Sequence, residues 1–166
     1  MPFAYYRRLS AARKNTYRRS DQIASVRLSD PAALRPLARS LAESLASEDR
    51  SEAEKICQRI ADGVTGQLGV PGVQALVLRV RPSDDWGELH GLYEPGEDGY
   101  RARISLWMRT ARREQVVAHR TFLRTLLHEL CHHLDYELFD LEETFHTEGF
   151  YRRESSLFHQ LVSETQ

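Results

Sequence analysis

Leu123, Leu126, Leu127, Leu130, Leu134 and Leu138 recur at spacings of three and four residues. That is the period of an α-helix with one buried face. The spacing predicts a long helix from Gln115 to about Leu138, ending by Leu141, where the stripe is lost in "FDLEETF". Such a helix needs a core to lie on, and any polar chemistry it carries is held rigidly against that core. A helix bearing only solvated charge does not need so heavy an anchor.

The chain has 166 residues, enough for one domain with a core of its own. Asp30 and Pro31 read as the N-cap and first turn of a helix whose Leu34, Leu37, Ala38, Leu41 and Leu45 share a face. Ser51 and Glu54 have capping-box spacing before a second helix. Its inner face is Ala53, Ile56, Cys57, Ile60, Val64 and Leu68, which makes Cys57 a core residue. "GVQALVLRV", residues 72–80, reads as a buried strand. "GELHGLY" and "YRARISLWM" flank the turn segment "EPGEDG" and predict a hairpin. The expected class is α+β: N-terminal helices, a small and mostly antiparallel sheet, a long site-bearing helix and a C-terminal helix. Residues 1–30 read as a basic arm of the same domain, of unassigned structure, and residues 31–166 as its body.

The long helix carries "HELCHHLD", residues 128–135. His128 and His132 lie four residues apart, about 40° around the helix and one turn along it, so their imidazoles can converge on one ion. Glu129 projects beside them, the H-E-x-x-H arrangement of zinc hydrolases, in which zinc lowers the pKa of water and the carboxylate is the general base. Asp135 lies on much the same face, either taking the other imidazole proton of a ligand, directly or through water, or standing as an exposed charge. His133 faces away, and Cys131 reads as a packing residue, since a thiolate ligand would close the position that catalysis needs. The third ligand comes from beyond the helix. His146 precedes a returning helix marked by Phe150, Leu157, Phe158 and Leu161, and Glu148 is its competitor.

"TLLHELCHHLD" followed by "FHTEGF" resembles the metal site of the zincin metallopeptidases, most of all the SprT-like and WLM branch. There H-E-x-x-H precedes a loop and an H-G-x-x-F-type segment, which reads H-T-E-G-F here. The resemblance implies a zinc-dependent peptidase with His128, His132 and His146 as ligands, Glu129 as catalytic base and Phe150 seating the segment on the core. It implies that the strand over residues 100–108 pairs with a protein or peptide substrate. Tyr93, Tyr136, Tyr151, Arg152 and His90 are all candidates for stabilising the oxyanion. A non-catalytic zinc module, structural or sensing, would have nearly the same sequence.

Charge is unevenly distributed. Residues 1–30 hold seven basic side chains (Arg7, Arg8, Arg13, Lys14, Arg18, Arg19 and Arg27) against Asp21 and Asp30, whereas residues 128–150 hold seven carboxylates. A basic arm can contact DNA through phosphates, a nucleic-acid association that the resemblance to SprT-like proteins also suggests, or be an ordinary solvated helix face. Two cysteines, Cys57 and Cys131, fit a reducing compartment, and neither an apolar membrane span nor a secretory leader is evident, so a cytoplasmic location is expected.

Overall fold

The leucine stripe forms the helix it predicts. In the computed structural model, which describes residues 2–162, this helix runs His119–Glu137 and buries Leu123, Leu126, Leu127, Leu130 and Leu134. Met1 and residues 163–166, which complete the expected segments 1–30 and 31–166, lie outside the described residues. The helix starts at His119 rather than Gln115 because Val116 bridges to Arg109 and the Val117 amide donates to the Met108 carbonyl at 2.8 Å. Strand-like pairing thus claims those residues first.

The unassigned N-terminal arm contains a 3-10 turn at Ala4–Arg8 and then helix α1, Ala11–Gln22. Ser10 caps α1 by accepting from the Arg13 amide at 3.2 Å. Helix α2 spans Arg35–Ala46 and α3 spans Arg50–Leu68. Neither starts where the sequence suggests. Asp30 precedes a 3-10 turn, Pro31–Ala33, without a side-chain cap bond, and Pro36 sits in the first turn of α2. For α3 the cap is Asp49, which accepts from the Glu52 amide. Ser51 and Glu54 lie inside that helix, and Glu54 instead accepts from the Val77 amide at 3.0 Å. Cys57 is fully buried in the core, as expected.

Strand β1, Gln74–Val80, is followed by a two-stranded ribbon of β2, Ser83–Asp84, and β3, Gly87–Glu88. Strands β4, Gly91–Glu94, and β5, Arg103–Arg109, form the predicted hairpin. The main sheet has the order β1-β5-β4 and is mixed: β4 is antiparallel to β5, whereas β1 is parallel to it. The chain reverses once before β4 and again before β5, so β5 ends up running with β1. Its central place also changes the expectation for residues 100–108. With β1 on one side and β4 on the other, β5 has no free edge for a substrate; β4 does.

One face of the sheet (Ala75, Val77, Ile104, Leu106, Met108) is buried under α3 and the leucine-striped helix, α4. Helix α5, Glu148–Leu161, returns along α4, and α1 packs on α5. Among the described residues no helix is long and apolar enough to cross a membrane.

Candidate metal centre

Helix α4 brings His128 and His132 to one face, and the loop from Leu138 to Thr147 carries His146 back to them. The His128 and His146 Nε2 atoms are 3.2 Å apart, and those of His146 and His132 are 3.1 Å apart. Among the described residues these three histidines form a group whose donor atoms all lie within 4.8 Å of one another and could hold one ion. Donors about 2.0–2.1 Å from a tetrahedral zinc would stand about 3.3–3.4 Å apart. The two measured separations are close to that geometry.

The hydrogen bonds behind the rings decide which nitrogens face inward. His128 Nδ1 is 2.8 Å from Glu154 Oε1, and a carboxylate can only accept, so Nδ1 carries the proton. His132 Nδ1 is 2.7 Å from Thr144 Oγ1, whose own proton goes to Asp135 Oδ2 at 2.8 Å. Burial pushes the Asp135 carboxyl up to about 6, while the adjoining Arg153 and the Thr144 hydroxyl pull it back toward the ionised form. Thr144 must therefore accept from His132, and both helix histidines present bare Nε2 lone pairs to the centre. A proton on His146 Nε2 could satisfy only one of them. Burial pushes His132 down to about 3, with His128 and His146 adding to the fall, and burial and His128 also lower His146. Two bare Nε2 lone pairs and a third imidazole nitrogen gathered at one point are the donor set a borderline divalent cation requires.

The floor beneath them is Phe150, fully buried, with ring centroids 4.9, 4.7 and 5.2 Å from His128, His132 and His146. This matches the seating role that the resemblance implied for it. Glu148 starts α5 and lies 3.7 Å from Arg152, outside the histidine group. His133 turns away, as expected, to Tyr93 Oη at 2.8 Å and the Pro71 carbonyl at 2.7 Å. Cys131 is buried, and burial pushes its thiol well up. Asp135 is not an exposed charge: it serves His132 through the Thr144 hydroxyl and pairs with the fully buried Arg153 at 3.0 Å.

Glu129 is almost completely buried between two concavities. One, of about 350 Å³, is lined by His90, Thr121, Arg124, Thr125 and Glu154 as well as His128 and Glu129. The other, of about 330 Å³, contains all three histidines with Leu92, Tyr93, Pro95 and Tyr136. Burial pushes Glu129 up to about 7; His128 works against this and Glu154 adds to it. Gly91 of β4 explains how the strand comes so close. A Cβ there would stand 2.7 Å from Thr125 Cγ2 and 3.0 Å from Glu129 Oε2. Of the oxyanion candidates, Tyr93 and Tyr136 both line the histidine-bearing concavity, but the Tyr93 hydroxyl is committed to His133.

Sequence reasoning missed Glu154, Thr144 and Arg153. The signal for two of them was present. Phe150, Leu157, Phe158 and Leu161 leave a gap at 153 and 154, the positions that would complete the stripe, and an Arg-Glu pair fills it. Charged residues at buried helical positions need partners. Thr144 sits in a loop and had no such signal.

Comparison of this chain with models of known protein families, with curated proteins and with solved structures gives no match.

Proposed function

We propose that the protein is a zinc-dependent metallopeptidase of the zincin type, akin to the SprT-like and WLM branch, acting on protein or peptide backbone. The observation that carries this reading is the convergence of three imidazole Nε2 atoms in a concavity that a buried carboxyl group, Glu129, also lines. His128, His132 and His146 would hold the metal, and their all-nitrogen set suits zinc. Bound there, zinc supplies Lewis acidity toward a carbonyl and makes water a stronger acid.

The remaining work falls to the chain. Glu129, raised to about 7, is matched to taking a proton from the attacking water and returning it to the leaving amine. The free edge of β4 receives the extended substrate backbone across the cleft. Tyr136 donates to the oxyanion. A polyanion such as DNA, if it is also a partner, would meet Arg7, Arg8 and Lys14 rather than Arg13 and Arg19, which are engaged within the molecule.

Metal analysis and a Glu129→Gln variant test the proposal. The expected result is one equivalent of zinc, lost in His128→Ala and His146→Ala, and hydrolysis of unfolded protein that disappears in Glu129→Gln while zinc is retained. Zinc bound by a wild-type protein that cleaves no peptide bond would favour the structural or sensing module instead.

A further inference from the structure

The three histidines are not held alike. His128 and His132 stand on one helix and are oriented by Glu154 and by Thr144 with Asp135. His146 lies in a loop, is exposed, and among the described residues no side chain is hydrogen-bonded to its Nδ1. Its position therefore depends on what grips the loop, and that grip comes from the N-terminal segment. Tyr5 Oη donates to the His146 carbonyl at 3.2 Å. On the residue before, Phe145 packs against Tyr5 and Tyr17 with centroids 6.3 and 5.8 Å away, beneath the Arg13 guanidinium. On the residue after, the Thr147 hydroxyl meets Ser20 Oγ at 2.9 Å, and the Gly149 amide donates to Asp21 Oδ1 at 3.0 Å. Arg13 grips Glu143 with two bonds of 2.6 and 2.9 Å, and Glu142 takes the Thr16 hydroxyl at 2.9 Å and Arg19 at 3.2 Å.

We infer that residues 3–22 are a working part of the metal centre, positioning His146 for the ion, so that docking of α1 and metal affinity are thermodynamically coupled. The inference rests on the metal-site reading above. It also gives the charge asymmetry of the sequence a purpose, since basic Arg13 and Arg19 pair with the acidic loop that carries the third ligand. Whatever stabilises one of the two events stabilises the other by the same factor.

The test measures zinc affinity by chelator competition in Arg13→Glu, Glu143→Arg, the exchanged double variant and Tyr5→Phe, with His146→Ala as reference. Arg13 and Glu143 are both partly exposed, so the folded domain should survive their replacement. Each charge reversal should weaken zinc binding by on the order of five- to tenfold, Tyr5→Phe by about threefold, and the exchange should restore most of the loss. The cobalt(II)-loaded forms report the geometry directly: the single variants should lose visible absorption intensity as His146 loosens, and the exchanged pair should recover it. Unchanged affinity and cobalt spectrum in both reversals, with only a lower melting temperature, would overturn the coupling. If His146→Ala itself leaves affinity unchanged, the metal-site reading fails, which is a different outcome.

Discussion

Arg153→Met should be among the most damaging single substitutions in the chain. Both Arg153 and Asp135 are completely buried, and four bonds hold the guanidinium. Nη1 donates to the Ser20 and Ile23 carbonyls at 2.6 and 2.7 Å, and Nη2 to Ser20 Oγ and Asp135 Oδ1, both at 3.0 Å. Breaking a buried pair by removing one partner costs about 3–5 kcal/mol, because the other charge is left without compensation. The Ile23 carbonyl at the end of α1 loses this donor as well, adding about 1–3 kcal/mol, whereas Ser20 keeps the Ile23 amide. A loss of roughly 4–8 kcal/mol is comparable to the whole stability of a typical domain. Asp135→Asn should cost less, since the guanidinium retains two carbonyls and a hydroxyl. The double variant should be more stable than Arg153→Met alone, because no bare carboxylate remains. Urea unfolding of metal-free protein followed by circular dichroism measures all three, with chelator present to keep zinc binding out of the balance. A cost below about 1 kcal/mol for Arg153→Met, or a double variant worse than the sum of the singles, would refute the reasoning.

Three further outcomes follow from the site. Glu154→Gln keeps the shape but weakens the acceptor behind His128, so zinc affinity should fall about 10- to 100-fold with little change in melting temperature, as chelator competition would show. Gly91→Ala puts a methyl group against Thr125 and Glu129, so under the proposed function hydrolysis should drop by about tenfold or more while zinc content, by elemental analysis, stays at the wild-type level. Glu142 is held below the ordinary carboxylate range by its own backbone N–H and the Thr16 hydroxyl, with Arg19 assisting. A depressed carboxyl stabilises above its unfolded pKa and stops doing so as pH falls through the folded value. Acidification below about 4.5 should therefore loosen residues 142–147 from α1. Backbone NMR shifts of the metal-free protein should show that transition, and Glu142→Gln should remove it.

The scaffold was legible wherever burial is apolar and periodic. The leucines of α4 and the stripes of α2 and α3 report their neighbours through the 3.6-residue period. The alternation of Ala102, Ile104, Leu106 and Met108 suggests one open face, but β5 is central and Ser105 and Trp107 are buried as well. Helix α1 escaped assignment for the complementary reason. Its buried residues are Thr16, Tyr17 and Ser20, so the face it hides looks polar in sequence. The caps were misplaced because Asp49 and Ser51 are both acceptable cap residues, and packing of the whole helix decides between them.

The site divides along the same line. His128, Glu129 and His132 are fixed by spacing within one helix, so the string alone orders them in space. His146 was reachable because a histidine stood at the entrance to a recognisable helix. What holds His146 in place was not legible, because it consists of contacts across more than a hundred residues of sequence, such as Tyr5 with His146 and Ser20 with Thr147. Those contacts leave only a weak trace, a basic arm at one end and an acidic segment at the other. That imbalance read naturally as a surface for a polyanion, since formal charge does not say which partner it meets. The bidentate Arg13–Glu143 pair shows that part of the partner lies within the chain. A charge asymmetry between two segments should thus be tested for internal pairing before an external ligand is invoked, above all where the acidic segment also carries candidate metal ligands.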